Sequence, residues 1–379
     1  MSGIGSQLLS ESKRSVPGGT GLENTQSSGC YILRIMSSGV SIEILDLRHF
    51  AAPMLRPLLE AEGELWLQRL HWDYQTSTRL LMQYLDSRML PGYAAVEAGT
   101  VTGYAFCVYE ESKAVIGDVF AVPAWATDAT GAMNRVFRGT ASGMGTESAR
   151  EVEERLLRHL FETLQNSPHV DRIESQLLLH PSGAHSAAFR EAGFKVLPRL
   201  FMVQPLGDRD TVPRVNMPAE LELRPWRDDD LNAAGRLISE AYAGHPDSII
   251  NDQYRSAHGS LRFLHNIVRF SGCGTFSAQV SHVVVDRHTR DLAALVLGSR
   301  VSPQSGHITQ LCVHPRYRRR GLARMLLSIA AASFLRQGVS EISLTVTGAN
   351  ENAIDLYRAE GYECAHIFDA AVWERTRIA

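Results

Sequence analysis

No apolar run in this chain is long enough to cross a bilayer. The first forty residues are rich in glycine and serine and lack the apolar core of a secretory signal. Neither a membrane span nor a membrane partner is expected, and residues 1–40 read as a flexible tail in which Met36 is a second candidate start. Cysteine is sparse: Cys30, Cys107, Cys273, Cys312 and Cys364 are odd in number, scattered, and never arranged as Cys-x-x-Cys. That excludes a disulfide framework and predicts free buried thiols in a reducing, cytoplasmic compartment. Charge of one sign is also lacking, since a net charge of −3 provides no global field for nucleic acid. The 14 histidines do not pair with carboxylates or cysteines at ligand spacing, and His282 with His288 reads as a hairpin edge, so no metal is expected. Gly-x-Ser-x-Gly is missing, and no cysteine sits in a nucleophile context, which disfavours a covalent acyl-enzyme.

What is present is an ordinary globular composition, 44% hydrophobic and 21% charged, in a chain of 379 residues that can hold two domains. One run stands out. An apolar strand over 308–313 meets Pro315 and a basic turn, after which Gly321 and Ala323 open an amphipathic helix. Leu322, Met325, Leu326 and Ile329 recur at helical spacing, and Gly338 supplies a stop. Unobstructed backbone N–H groups at a helix start, in a positive field, suit a phosphorylated ligand. Read by its charge alone, the run is a solvated basic turn or a nucleic-acid patch. Its order, strand then turn then Gly-x-Ala then helix, makes it a cradle. It is neither a Walker loop, since no Gly-Lys-Ser/Thr follows, nor a complete dinucleotide fingerprint.

These residues resemble the GNAT family of acyl-CoA N-acyltransferases. The family's pyrophosphate loop, Gln/Arg-x-x-Gly-x-Gly/Ala, is matched by Arg318, Arg319, Arg320, Gly321, Leu322 and Ala323. Downstream lie a strand over 342–346, then Asn350, Ala353, Leu356 and Tyr357 in the family's Asn-x-x-Ala-x-x-Leu-Tyr, then Gly361 and Tyr362. The resemblance covers about 219–379. It implies an α+β fold with a mixed, mostly antiparallel central sheet flanked by helices.

The chain also echoes itself. Residues 41–48 are matched by 220–227, and Phe189 to Phe194 by Tyr357 to Tyr362, with an insertion over 126–146 in the first copy. Two tandem GNAT-like domains are therefore expected, over 41–205 and 219–379, joined by a linker at 206–218. The copies differ in chemistry. Where the second has its arginines, the first has Glu147, Glu151, Glu153 and Glu154, which suit a helix start but repel a pyrophosphate. Gly143 and Gly145 read as a loop, Ser182 stands for Asn350, and Phe189 stands for Tyr357. The first copy thus reads as degenerate, a neighbour that packs on the active copy and helps wall its cleft.

What the resemblance implies for mechanism is direct acetyl transfer from acetyl-CoA, as acyl-donor cosubstrate, to a primary amine in a ternary complex. Backbone groups of Leu311 and Val313 would bind the pantetheine arm, with the Leu311 N–H facing the thioester oxygen. Arg318, Arg319, Arg320, Gly321, Leu322, Ala323 and Arg324 would hold the pyrophosphate. Asn350 would hold pantetheine or cap its helix, and Tyr357 would protonate the leaving thiolate. Strand alternation puts His307, Thr309, Leu311 and Val313 on one face, with His307 at the position of a base. Residues 242–254 read as a variable lid, with Asp247 and Asp252 facing a cationic acceptor. A small-molecule amine is expected ahead of a protein substrate, because two packed copies narrow the cleft. A non-catalytic acyl-CoA sensor or scaffold is the alternative, and oligomeric state stays open.

Overall fold

The computed structural model describes residues 42–122, 143–207, 217–269 and 274–376. The tail and most of the insertion and linker expected above lie outside these residues, as do Cys30 and Cys273.

In chain order the first half contains β1 (Ile42–Asp46), α1 (Ala52–Leu70), α2 (Gln75–Asp86), β2 (Gly92–Glu97), β3 (Thr100–Glu110), β4 (Lys113–Ala121), α3 (Gly143–Asn166), β5 (Arg172–Gln176), α4 (Ser186–Glu191) and β6 (Lys195–Pro205). The second half contains β7 (Leu221–Pro225), α5 (Leu231–Ala241), α6 (Asp247–Ile250), α7 (Ala257–Arg269), β8 (Thr275–Phe276), β9 (His282–Asp286) and β10 (Leu292–Arg300). It continues with β11 (Ser305–Val313), α8 (Leu322–Arg336), β12 (Glu341–Thr347), α9 (Glu351–Ala359) and β13 (Glu363–Glu374). Gly143 and Gly145 open α3, so the loop expected there is the first helical turn.

The strands form one sheet in the order β1-β2-β3-β4-β5-β13-β6-β12-β11-β10-β9-β7, with β8 beside β10. Read outward from the β13–β6 pair, the two halves run through the same sequence of strand types. Each begins with an antiparallel meander and closes with a parallel pair, β4 with β5 and β11 with β12. The last strands are exchanged: β6 pairs with β12 of the second half, and β13 pairs with β5 of the first.

Helices cover both faces, because the strands are apolar on both sides. In the second half α8 buries Met325, Leu326, Ala330 and Phe334 against Ile342 and Leu344. Phe334 lies across two glycines: a Cβ at Gly306 would come within 2.5 Å of its ring, and one at Gly298 within 2.9 Å. On the other face α5 buries Leu237 and Ile238 against Leu295 and Cys312. Among the cysteines Cys107 and Cys312 are buried, as expected, whereas Cys364 is exposed because it opens β13 at the surface.

Besides the exchanged strands, an apolar contact and an ionic one join the halves. Trp66, Trp72, Leu178, Phe201, Val301 and Phe368 form a common core. Lys113, buried where β4 begins, lies 3.2 Å from Glu110, 3.3 Å from Glu174 and 2.5 Å from Asp252 of the second half. Asp252 therefore faces Lys113, and the expected role in greeting a cationic acceptor is corrected.

Removing the Lys113 ammonium leaves Glu110 and Glu174 buried, and the partly exposed Asp252, without its charge. Arg262 and Arg172 partly neutralise Glu110 and Glu174, which limits the loss. Lys113→Met is expected to lower unfolding free energy by about 3 kcal/mol in urea titration; a change below about 0.5 kcal/mol would show that the network does not hold the halves together.

Candidate functional site

β11 and β12 pair only at Ser305↔Glu341, Gly306↔Ile342 and His307↔Ser343, and then diverge. The divergence follows a bulge. Pairing of β11 with β10 shifts from Gly298↔Ile308 to Leu297↔Gln310, so Thr309 is the extra residue. Beyond it opens a cavity of about 880 Å³, walled by β11, the start of α8, α9, and residues 241–254. The first half contributes Trp72, Gln176, Leu178 and Arg199 to its wall.

The bulge also resets side-chain alternation. Ile308, Leu311 and Val313 pack toward the α8 core, while Cys312 belongs to the α5 core. His307 turns away from α8, with its ring 4.9 Å from that of Trp72 and stacked on Phe201. The single face expected for His307, Thr309, Leu311 and Val313 is thus broken by one inserted residue. His307 is buried, and its Nδ1 lies 2.9 Å from the Ser343 hydroxyl. Burial, helped by the charge of Arg199, pushes its pKa down to about 3. An imidazole so hard to protonate is a weak base near neutrality, so the base role expected for His307 does not fit its surroundings.

At the mouth of the cavity, Gly321 begins α8 with φ 76°, and no heavy atom lies within 4 Å of where its Cβ would stand. The amides of residues 321–324 have no intrahelical acceptor and carry the positive end of the helix dipole. The neighbouring arginines divide their work. Arg318 donates to the carbonyls of Ala241 at 2.7 Å and Val313 at 3.3 Å, which ties the loop to α5 and β11. Arg320 pairs with Glu220 at 3.0 Å and Arg324 with Glu360 at 2.6 Å. Arg319, exposed and held at φ 62°, has no partner among the described residues and lines the cavity with Leu322 and Ala323.

Deeper in, the Leu311 N–H donates to Oε1 of Gln310 at 3.1 Å, and the Tyr242 hydroxyl donates to the same oxygen at 3.0 Å. Asn350 caps α9 by accepting from the Ala353 N–H at 3.3 Å, and its Nδ2 lies 3.2 Å from His245 Nε2. Tyr357 lines the same wall. Burial raises its phenol well above the ordinary range; Asp247 adds to the shift and Arg199 opposes it. Asp247 also lines the cavity and accepts from the Thr347 hydroxyl. Arg199 donates to Gln176 and Thr345, yet its buried Nε has no acceptor, and among the described residues no carboxylate lies within 4 Å of it. Nothing in the sequence marked Arg199 or Trp72, because both reach this cavity from the other half.

The first half holds a second polar cluster. His185 Nε2 lies 3.2 Å from Glu153 Oε2 and 3.3 Å from His180 Nδ1, and His180 Nδ1 is 3.8 Å from Glu153 Oε2. No ligand spacing in the sequence announces this group, because three separate elements supply it.

One part of the pH response of stability comes from His307. An unfolded imidazole titrates near about 6.5. With a folded value of about 3, the unfolded imidazole binds more protons between the two values, so this contribution to stability falls as pH falls below 6.5 and is flat above it. In urea unfolding at pH 7.5, 6 and 5, His307→Gln should lose less stability than the parent below 6.5. The difference should grow by up to about 1.4 kcal/mol per pH unit. Parallel curves would place His307 in contact with water.

Residues 248–362 match the Acetyltransferase (GNAT) family. An acetyltransferase of Sodalis glossinidius (strain morsitans) is 36% identical over 76 residues, 19% of this chain and 54% of that protein, so the match spans about half the relative's length. A solved GCN5-related N-acetyltransferase from Sphaerobacter thermophilus covers 91% of this chain and 98% of its own, at 16% identity and a TM-score of 0.56. A tandem GNAT protein from the clavulanic acid biosynthesis pathway covers 89% of this chain and 100% of its own, at 14% identity and a TM-score of 0.53. Among the described residues no helix is long and apolar enough to cross a membrane. Residues 248–362 thus carry the match to the GNAT family, and the chain shares the mixed, largely antiparallel fold of these solved structures.

Proposed function

We propose that residues 219–379 form an acetyl-CoA-dependent N-acetyltransferase acting on a small-molecule amine. Residues 41–205, joined through 206–218, wall its cleft without binding cofactor. The observation that carries this reading is the divergence of β11 from β12 beside an open helix start. A pyrophosphate would meet the amides of residues 321–324 and Arg319, and the pantetheine arm would lie between the parted strands beside Leu311, Val313 and Asn350. The Leu311 N–H, now held by the Gln310 side chain, needs only a rotation of that amide to face a thioester oxygen.

In the reaction a neutral amine attacks the thioester carbon, the C–N bond forms and the C–S bond breaks. The departing thiolate takes the Tyr357 proton, and the phenolate recovers the proton lost by nitrogen. Burial keeps that phenol protonated until the thiolate departs, and the phenolate it leaves is a strong base for the proton on nitrogen. Asp247 offers the acceptor's amino end a carboxylate. Arg199, lacking a carboxylate partner, favours an acceptor that also carries an anionic group. His307 stays a wall of this pocket.

Calorimetric titration should find about one equivalent of acetyl-CoA, lost in Gly321→Glu, which drives a carboxylate into the cradle and strains a left-handed position by about 1–2 kcal/mol. Two equivalents would show that the first half also binds cofactor, and none would end the transferase reading. Tyr357→Phe should lower kcat about 100-fold or more with acetyl-CoA affinity kept. Binding without acceptor-dependent thiol release would leave a sensor or scaffold.

Arg199→Leu should raise KM about tenfold for amines that carry a carboxylate and leave simple amines unchanged. Equal effects on both would remove Arg199 from acceptor recognition.

A further inference from the structure

The first half repeats the architecture of the cleft. β4 pairs with β5 only from Lys113↔Arg172 to Ile116↔Ser175, and Gly117 is its bulge residue, since pairing with β3 shifts from Cys107↔Ile116 to Phe106↔Asp118. Asp118 and Val119 then copy Gln310 and Leu311: the Val119 N–H donates to its neighbour's Asp118 Oδ1 at 2.9 Å. Here the groove is filled. The Val119 carbonyl accepts from His180 Nε2 at 2.9 Å, and the Ala121 N–H donates to Glu153 Oε1 at 3.1 Å.

These bonds fix the ligand geometry of what remains. With Nε2 of His180 committed as a donor, its Nδ1 carries the lone pair. With Oε1 of Glu153 taken, Oε2 is the free oxygen. Both face Nε2 of His185, at separations of 3.3 Å and 3.2 Å, with 3.8 Å closing the triangle. A tetrahedral zinc with bonds of about 2.0–2.1 Å sets ligand atoms about 3.3–3.4 Å apart. The Val119 carbonyl and the Ala121 N–H stand where second-shell partners orient ligating side chains. Glu153 and His185 are buried and His180 nearly so. Glu62 and Asp118 are buried beside them with their carboxyl groups facing one another, and among the described residues none of the three carboxylates has a Lys or Arg within 4 Å. Arg150 and Arg69 approach from outside but donate to the carbonyls of Gly183 and Leu179.

We propose that the first half binds one divalent transition-metal ion, zinc by its ligand set, through His180 Nδ1, His185 Nε2 and Glu153 Oε2, with water in the fourth position. The ion would link α3, the turn after β5 and the start of α4, and so hold the first groove shut.

The untagged full chain, purified without chelator, should carry about one equivalent of zinc by elemental analysis. Chelator-stripped protein should take up one equivalent of Co²⁺ with the visible absorption of a tetrahedral site, and zinc should displace it. His185→Ala and Glu153→Gln should each abolish the Co²⁺ spectrum, with folding checked by circular dichroism. Failure of the parent chain to bind zinc or Co²⁺ would overturn the proposal and leave a hydrogen-bonded triad. Uptake that persists in both variants would overturn it as well, by placing the ion elsewhere. The metal readouts do not use acetyl-CoA, so they stand apart from the transferase reading.

Discussion

The pairing of β6 with β13 is the constraint on which the molecule depends. These strands run antiparallel from Glu363↔Val203 to Val372↔Lys195, and each then pairs outward with the opposite half. Without the exchange, each half would keep its own last strand and end there in an open edge, with a row of unpaired backbone groups. With it the sheet has no interruption, and the two halves cannot part without breaking ladders on both sides. The exchange also builds the candidate cleft. Arg199 and Phe201 ride on β6, so a strand contiguous in sequence with the first half carries the charge and the aromatic wall that face His307. The second half alone would hold the cradle and Tyr357, yet lack one wall of the cavity.

The local motifs were legible in the sequence because their physics is local. A glycine free to adopt positive φ, a basic turn and an amphipathic helix are set by neighbours, and the cradle at Gly321 and the Asn350 cap of α9 appear where the residues place them. The repeat was legible for the same reason, as paired strand, helix and glycine signals in the same order. The bulge at Thr309 was not. A one-residue insertion in a strand leaves no compositional mark, yet it reverses which side chains share a face, and this moved His307 from the expected catalytic row into an aromatic wall. Asp252 was misjudged because its partner, Lys113, lies in the other half. Glu153, His180 and His185 were invisible as a group for a like reason, since a helix, a turn and a helix start bring them together.

Polar burial separates the two halves more sharply than fold does. The second cleft keeps its charged groups at the wall: Arg199 retains an unsatisfied N–H, and Asp247 is bonded only through one hydroxyl and its neighbours. Such groups are costly in a closed core and tolerable in a cavity that water or a ligand can fill. In the first half the comparable volume is buried and dense with titratable groups, including Glu62 bonded to Tyr104 and Trp66. Burial drives its carboxylates and imidazoles toward their neutral forms.

A parted pair of parallel strands leaves main-chain donors and acceptors exposed, and each one left unpaired in a buried groove costs about 1–3 kcal/mol. A fold that parts its strands must therefore supply partners from somewhere. The first half supplies them from its own side chains, His180 and Glu153, and its groove is complete as it stands. The second half supplies a provisional partner, the Gln310 amide, which sits on a rotatable side chain and is itself steadied by Tyr242. Replacing that contact with a ligand carbonyl trades one hydrogen bond for another at little net cost, whereas opening the first groove would break two side-chain bonds and expose a buried carboxylate. The same backbone geometry thus yields an accommodating cleft in one half and a sealed one in the other, and the difference rests on the side chains around one bulge.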